Sequence, residues 1–210
     1  MRTLIHPTYF PSIGTFAVVV QKEIIWEVED NYQKQTYRNR TYICNDRGKH
    51  LLNIPIRHVG GDQGRQKYKD VRVDNRYTWQ RTHWRTLQTA YRTSPFFEYY
   101  EDDIAPLFES NPNFLLDFNL KTIATICDCL QIETPQLKTE SFVPQYDIYK
   151  DLRFLVNAKN ETRPKQRPYS QVFGDRHGFV QNASILDLLF NEGTNALTYL
   201  KQQDLKFLDV

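Results

Sequence analysis

The 210-residue chain has no apolar run near the roughly 18 residues that a membrane span needs. Its opening, Met1-Arg2-Thr3-Leu4-Ile5-His6, lacks the apolar core of a secretory signal, so no leader and a cytoplasmic location are expected. Cysteine is scarce and odd in number, at 3, which argues against a disulfide framework and for a reducing compartment. Cys127 and Cys129 fall inside a helical pattern, where they face different ways and cannot easily bridge each other. Thiol and imidazole groups at ligand spacing are missing, so no metal site is expected and no cofactor is indicated. An excess of one charge is missing too. The 27 Lys and Arg against 25 Asp and Glu leave +2, too little to argue for a nucleic-acid partner. There is no internal repeat, low-complexity tract or linker, so residues 1–210 read as a single domain.

What the chain does have is ring volume. It holds 13 Tyr and 13 Phe, and 40% of its residues are hydrophobic, enough for a sizeable core built largely of aromatics. Thr3-Leu4-Ile5 reads as a short strand, followed by the proline-stiffened turn His6-Pro7-Thr8-Tyr9-Phe10-Pro11. Ser12 is an N-cap for a helix through Val20. Ile24 to Glu29 reads as a strand and Asn31 to Arg40 as a polar loop. Thr41–Ile43 and Leu51–Ile56 flank Asn45-Asp46-Arg47-Gly48-Lys49, a hairpin with a longer loop. Gly60, Gly61 and Gly64 make a loop ahead of a short strand at Val71–Val73.

Helices are expected over Tyr77–Arg92, Glu101–Glu109 and Asn113–Leu130, and further strands at Gln136–Phe142 and Leu152–Val156. Thr162–Pro168 reads as an exposed loop. Ser184 to Phe190 is a helix with Ser184 as cap, Asp187 in a capping position and Gly193 as breaker. Strands interleaved with helices indicate α/β or α+β, with a mixed sheet, a β-hairpin and packed helices.

Chemistry concentrates at Trp79-Gln80-Arg81-Thr82-His83-Trp84-Arg85, after the basic segment Lys67 to Asn75. Trp79 and His83 share a helix face, while Trp84 groups with Leu87 and Tyr91. Stacking, proton-moving and cationic groups together suit an anionic or sugar-like ligand. An amphipathic helix with core indoles and wet arginines explains the same pattern.

His6 follows a strand and precedes a helix start, the place where open α/β sheets put ligands, and free N–H groups near Ser12 would hold a phosphate. A histidine fixed by a backbone carbonyl in a proline turn is the alternative. Tyr9 stands where His-x-x-His nucleotidyltransferases carry their second histidine. Asn39 and Arg40, at the end of the polar loop, and Lys69, after the glycines, are candidate binders of phosphate. Asp74 most simply forms a turn. Asn182 precedes the last helix and can reach a ligand. Cys44 is a possible thiol nucleophile, but a small buried residue explains it better.

Several segments together resemble the WbqC-like protein family. They are His6 to Gly14, Asn39-Arg40 before Tyr42-Ile43, and Asp70 to Asp74 with Trp79, His83-Trp84, Tyr91 and Pro95-x-Phe97. Leu115 to Ile126 around Asn119 and Phe179 to Asn191 complete the set. Each is weak alone, but their joint order is specific. The resemblance implies a role in surface polysaccharide or O-antigen precursor assembly. Longer members carry a Tyr-Leu-Ser-Gly-type stretch before the last motif, whereas Val143 to Gln171 here has no glycine.

The expected function is binding of a nucleotide-sugar or other phosphorylated small molecule, with group transfer or ligation. His6 and His83 are the acid/base candidates. Tyr9, Asn39, Arg40, Lys69, Asp74, Trp79, Arg85 and Asn182 are the binding candidates, and His6, Asn39 and Arg40 are expected to converge in one cleft. The alternative is a non-catalytic binding or scaffold protein of a polysaccharide assembly complex, favoured by the missing glycine stretch.

Overall fold

The computed structural model describes residues 1–57, 66–159 and 164–208; the glycine loop at Gly60, Gly61 and Gly64 lies outside these. Strand β1 (Thr3–Ile5) leads into helix α1 (Ile13–Gln21) and strand β2 (Ile24–Trp26). This βαβ unit makes β1 and β2 parallel, and β5 (Lys150–Asp151) joins β1 from the other side, giving the order β2-β1-β5. Strands of two and three residues form no stable sheet alone. This one persists because it is covered. Seven residues of α1 in succession, Ile13 to Val19, are buried, which marks a helix enclosed on all sides. The C-terminal helices α6 (Ile185–Glu192) and α7 (Ala196–Gln202) enclose it, and Gln21 donates to the carbonyls of Leu200 and Gln203.

The hairpin pairs β3 (Arg40–Asn45) with β4 (Gly48–Asn53). Only Asp46 and Arg47 lie between the strands, so the turn is tighter than the sequence suggests, and Gly48 closes it at φ +94°. Helix α2 (Trp79–Tyr91), α3 (Phe97–Glu109) and α4 (Leu115–Cys129) form the remaining layer. Trp84 stacks on Phe97 and Phe108, with centroids 5.9 and 5.6 Å away. Together with the short α5 (Gly174–His177), the elements make a mixed fold of helices, a small parallel sheet and an antiparallel hairpin.

Several expected elements differ. Gln136–Phe142 is no strand: Trp26 and Lys138 form an isolated bridge, and Arg153 holds the carbonyls of Val143 and Pro144. Leu152–Val156 is mostly a 3-10 turn, Arg153–Val156, following the shorter β5. Arg72 and Val73 make isolated bridges, to Phe114 and Ile56, rather than a strand. Helix α3 begins four residues before the acidic stretch because Phe97 and Tyr100 give it a buried face. In the 162–168 segment, residues 162 and 163 lie outside the described set, and Pro164 and Gln166 are buried rather than exposed.

Ser184 caps α6 as expected, but the Asp187 side chain caps nothing. Its carboxylate is fully buried and accepts from Tyr91 Oη (2.8 Å), Tyr169 Oη and Gln171 Nε2 (2.7 Å). It therefore ties α6 to α2 and to the 169–171 segment.

Candidate functional site

Parallel strands place their following residues along one edge, where ligands bind in open α/β sheets. Here that edge carries His6 after β1, Glu27 after β2 and Arg153 shortly after β5. The register is fixed by Glu27 N–H donating to the Ile5 carbonyl (2.8 Å) and Leu152 N–H to that of Leu4 (2.9 Å). Two more charged groups join them. His6 Nε2 lies 2.9 Å from Asp30 Oδ2, and Arg38 Nη2 lies 2.8 Å from His6 Nε2 and 2.9 Å from Asp30 Oδ2.

Arg38 is fully buried. Its carbonyl accepts from Asn119 Nδ2 (2.6 Å), and its guanidinium lies over the Tyr68 ring at 5.3 Å. Tyr68 in turn donates to the Pro7 carbonyl (2.8 Å). Glu27 accepts from Glu29 N–H, Thr139 Oγ1 and, at 3.3 Å, Arg153.

The electrostatics follow from burial. Burial, and then the Arg38 charge, push the His6 imidazole down to about 4, so it is neutral at pH 7. Burial alone would lift the Asp30 carboxyl. The hydrogen bond from His6 and the charge of Arg38 outweigh it and leave Asp30 below the ordinary value. Burial raises Glu27. Among the described residues, three atoms of this cluster have no hydrogen-bond partner: His6 Nδ1, Arg38 Nε and Asn119 Oδ1. Buried polar atoms are nearly always paired, so such a concentration marks a place where a partner is wanted.

Beside this cluster lies a cavity of about 580 Å³, within the usual range for small-molecule sites. Asn39, Arg40 and Asp74 line it together with Tyr32, Lys34 and Arg76. Asn39 is 6% exposed. Its amide nitrogen donates to Ile54 O (2.9 Å) and Asn53 Oδ1 (3.1 Å); among the described residues its Oδ1 has no partner, nor has Arg40 Nε. Asp74 is bound by Arg76 through Nη2 (2.7 Å) and Nε (2.9 Å), and this hydrogen bonding holds its carboxyl at about 2. Tyr32 links cavity and cluster: it lines the cavity, its hydroxyl feels both Arg38 and Arg40, and its ring is 6.5 Å from that of Tyr68.

The remaining candidates sit elsewhere. Tyr9 and His83 are bonded to each other, Oη to Nδ1, at 3.0 Å, and the Asn53 backbone acts on the imidazole as well. Trp79 is buried, its ring 5.2 Å from His83 and 5.5 Å from Phe118. Lys69 pairs with Glu29 at 2.6 Å, beside Lys67. Arg85 lines a separate groove of about 410 Å³ with Asp46, Thr82 and Phe173. Asn182, at φ +53°, accepts from Gly14 N–H (2.9 Å).

That last contact corrects the expectation of free N–H groups at the start of α1. Ile13 N–H donates to the Ala183 carbonyl, Gly14 to Asn182, Thr15 to Ser12 Oγ and Phe16 to the Ser12 carbonyl. No phosphate can be held there without displacing them. Cys44 is buried, and burial pushes its thiol up to about 12, so it is no nucleophile at neutral pH. His6 does not line the cavity of Asn39 and Arg40; its partner from that segment is Arg38, two residues earlier.

Sequence reasoning missed Glu27, Asp30, Arg38 and Arg153. Applying to β2 the strand-end rule that singled out His6 would have found Glu27. Arg38 and Asp30 carried no signal beyond lying in a polar loop, and nothing apolar announces β5 ahead of Arg153. Among the described residues, no group of three or more His, Cys, Asp or Glu is arranged to hold a metal ion, and no helix is long and apolar enough to cross a membrane.

The chain is similar to the uncharacterised protein Rv1507c of Mycobacterium tuberculosis (strain ATCC 25618 / H37Rv). The two are 27% identical over 230 residues, covering 94% of this chain and 96% of the relative. No solved structure matches it. The model of the WbqC-like protein family matches residues 6–161, from the histidine after β1 to beyond the arginine after β5. On that span the chain belongs to the WbqC-like protein family.

Proposed function

We propose that the chain binds a nucleotide-sugar or other phosphorylated small molecule and acts on a surface-polysaccharide precursor by group transfer or ligation. The observation that carries this reading is the cavity wall at Asn39 and Arg40. An acceptor, Asn39 Oδ1, and a donor, Arg40 Nε, are both buried without partners among the described residues, and Lys34 lines the same space. Unmet acceptor and donor suit the hydroxyl groups of a sugar. The guanidinium and ammonium suit a phosphate. Tyr32 and the exposed Tyr77 supply ring faces at the cavity. His6, at the neighbouring sheet edge, is the acid/base group.

The other reading is a non-catalytic binding or scaffold protein. It is favoured by exposed apolar side chains gathered between Leu137 and Phe154, namely Leu137, Phe142, Val143, Ile148 and Phe154. Thermal unfolding against a panel of nucleotide-sugars and sugar phosphates separates the two. A ligand at about 100 times its Kd stabilises the native state by about 2.7 kcal/mol, and Arg40→Ala is expected to abolish the shift. The ligand-binding reading falls if no phosphorylated compound shifts the wild-type midpoint.

A further inference from the structure

The residues around His6 divide the two nitrogens of its ring. Nε2 is crowded: the Asp30 carboxylate and the Arg38 guanidinium both lie within 2.9 Å of it. Nδ1 is buried and faces no donor or acceptor among the described residues. His83 provides the contrast, since its Nδ1 is bonded to Tyr9 Oη at 3.0 Å. The two contacts on Nε2 ask for opposite things: the carboxylate wants a proton there and the Arg38 N–H wants a lone pair. Arg38 can place its proton on Asp30 Oδ2 instead, at 2.9 Å, whereas a proton on Nδ1 would be a buried donor with no acceptor among the described residues. The proton of a neutral His6 therefore sits on Nε2, where Asp30 takes it, and Nδ1 keeps a bare lone pair. The second donor on Asp30, from Arg38, converges on the same oxygen and fixes its position.

This is the division of labour by which a carboxylate sets the tautomer of a catalytic histidine and leaves its other nitrogen for the proton. We infer that Asp30 and Arg38 are positioning residues of a proton-transfer centre in which His6 Nδ1 meets a hydroxyl or amine of the bound acceptor. The inference rests on the group-transfer reading above.

In the step, the O–H or N–H bond of the acceptor breaks and its proton passes to Nδ1. The freed pair forms the new bond to the electrophilic centre of the phosphorylated donor. The bond from that centre to its leaving group breaks, and the leaving group departs with the pair and collects the proton. Besides Asp30 and Arg38, the charges acting on His6 are Arg153 and Asp151, with Glu27 beside them. A phosphate in the neighbouring cavity would offset the two arginines and make the imidazole a better base when the substrate is bound.

Long-range proton–nitrogen correlation spectra of the 15N-labelled full chain at pH 7 read the tautomer directly, with the backbone amide spectrum as the check of folding. The wild type is expected to show Nε2 protonated and Nδ1 bare. In Asp30→Asn, the carboxylate is gone and Arg38 still faces Nε2, so the proton is expected to move to Nδ1. Asp30→Glu keeps the carboxylate and is expected to keep the wild-type tautomer, which a merely structural role would not distinguish from Asn.

A wild type protonated on Nδ1 overturns the proposal. So does an Asp30→Asn protein with the wild-type tautomer. Should Asp30→Asn fail to fold, the wild type and Asp30→Glu decide alone: the proton on Nε2 in both supports the proposal, and on Nδ1 in either overturns it. None of these outcomes depends on a ligand, so failure here stands apart from failure of the thermal-shift panel.

Discussion

His83 gives the sharpest test of how the core handles charge. It is 4% exposed, and burial pushes its imidazole down to about 4 from 6.5. The folded state thus holds it neutral, while the unfolded chain takes up a proton as the pH falls through 6.5. Between those values the unfolded state binds more protons, so stability rises with pH and is lost on acidification. Integrating that difference for one histidine gives a loss of about 2 kcal/mol at pH 5 and about 3 kcal/mol at pH 4, relative to pH 8.

Other groups titrate in the same range, so the comparison must be made against a variant. In His83→Gln the side chain can still accept from Tyr9 and donate to Asn53 but carries no titrating ring. Urea unfolding of both proteins at intervals from pH 8 to pH 4 gives the difference in stability. The advantage of the wild type is expected to shrink by about 2 kcal/mol on reaching pH 5. Parallel curves would refute the reasoning and mean that His83 is solvated in the native state.

The remaining expectations concern packing. Gly193 closes α6 at φ +54°, and a Cβ there would lie 2.4 Å from the Phe96 ring; Gly193→Ala is expected to cost about 2 kcal/mol or more in urea unfolding. Asp187→Ala removes the acceptor of the Tyr91 and Tyr169 hydroxyls, while Gln171 keeps the Val180 carbonyl, and a loss of about 3 kcal/mol in the same assay is expected. Trp84 is only partly buried yet lies between two rings, so Trp84→Ala is expected near the lower end of the usual 3–5 kcal/mol. A fragment of residues 1–161 is expected to lack cooperative unfolding by circular dichroism, since α1 would lose both Asn182 at its start and α7 along its side.

The helices were legible because their signals are local. Leu116, Leu120, Ile123 and Cys127 repeat along one face of α4, and Ser184 and Gly193 bracket α6. The hairpin was legible from Asn45 to Gly48. The sheet was only half so, because β5 is two polar residues whose strand character comes entirely from pairing with β1. For the same reason Arg153 was invisible.

The helix phase grouped Trp79 with His83, and their rings lie 5.2 Å apart; Trp84, grouped with Leu87, is only partly buried while Leu87 is fully so. Which group turns inward depended on α3 and α4, and helical period carries no information about that: Trp79 is the more buried indole. Arg38 shows the same limit. A charge in a polar loop reads as solvated until Asn119, 81 residues later, is seen holding its carbonyl.

The position of β5 also sets a clock. β1 is synthesised long before its partner on one side, Lys150–Asp151, which follows every other strand among the described residues. At about 5–20 residues per second, roughly 7 to 30 s pass between the two. Throughout that time the nascent chain carries an unpaired edge at Thr3-Leu4-Ile5, the kind of strand edge that recruits neighbouring chains. The segments closing α1 at residues 182–184 emerge later still. Expression yield should therefore respond more to conditions at the ribosome than the stability of the finished fold would suggest.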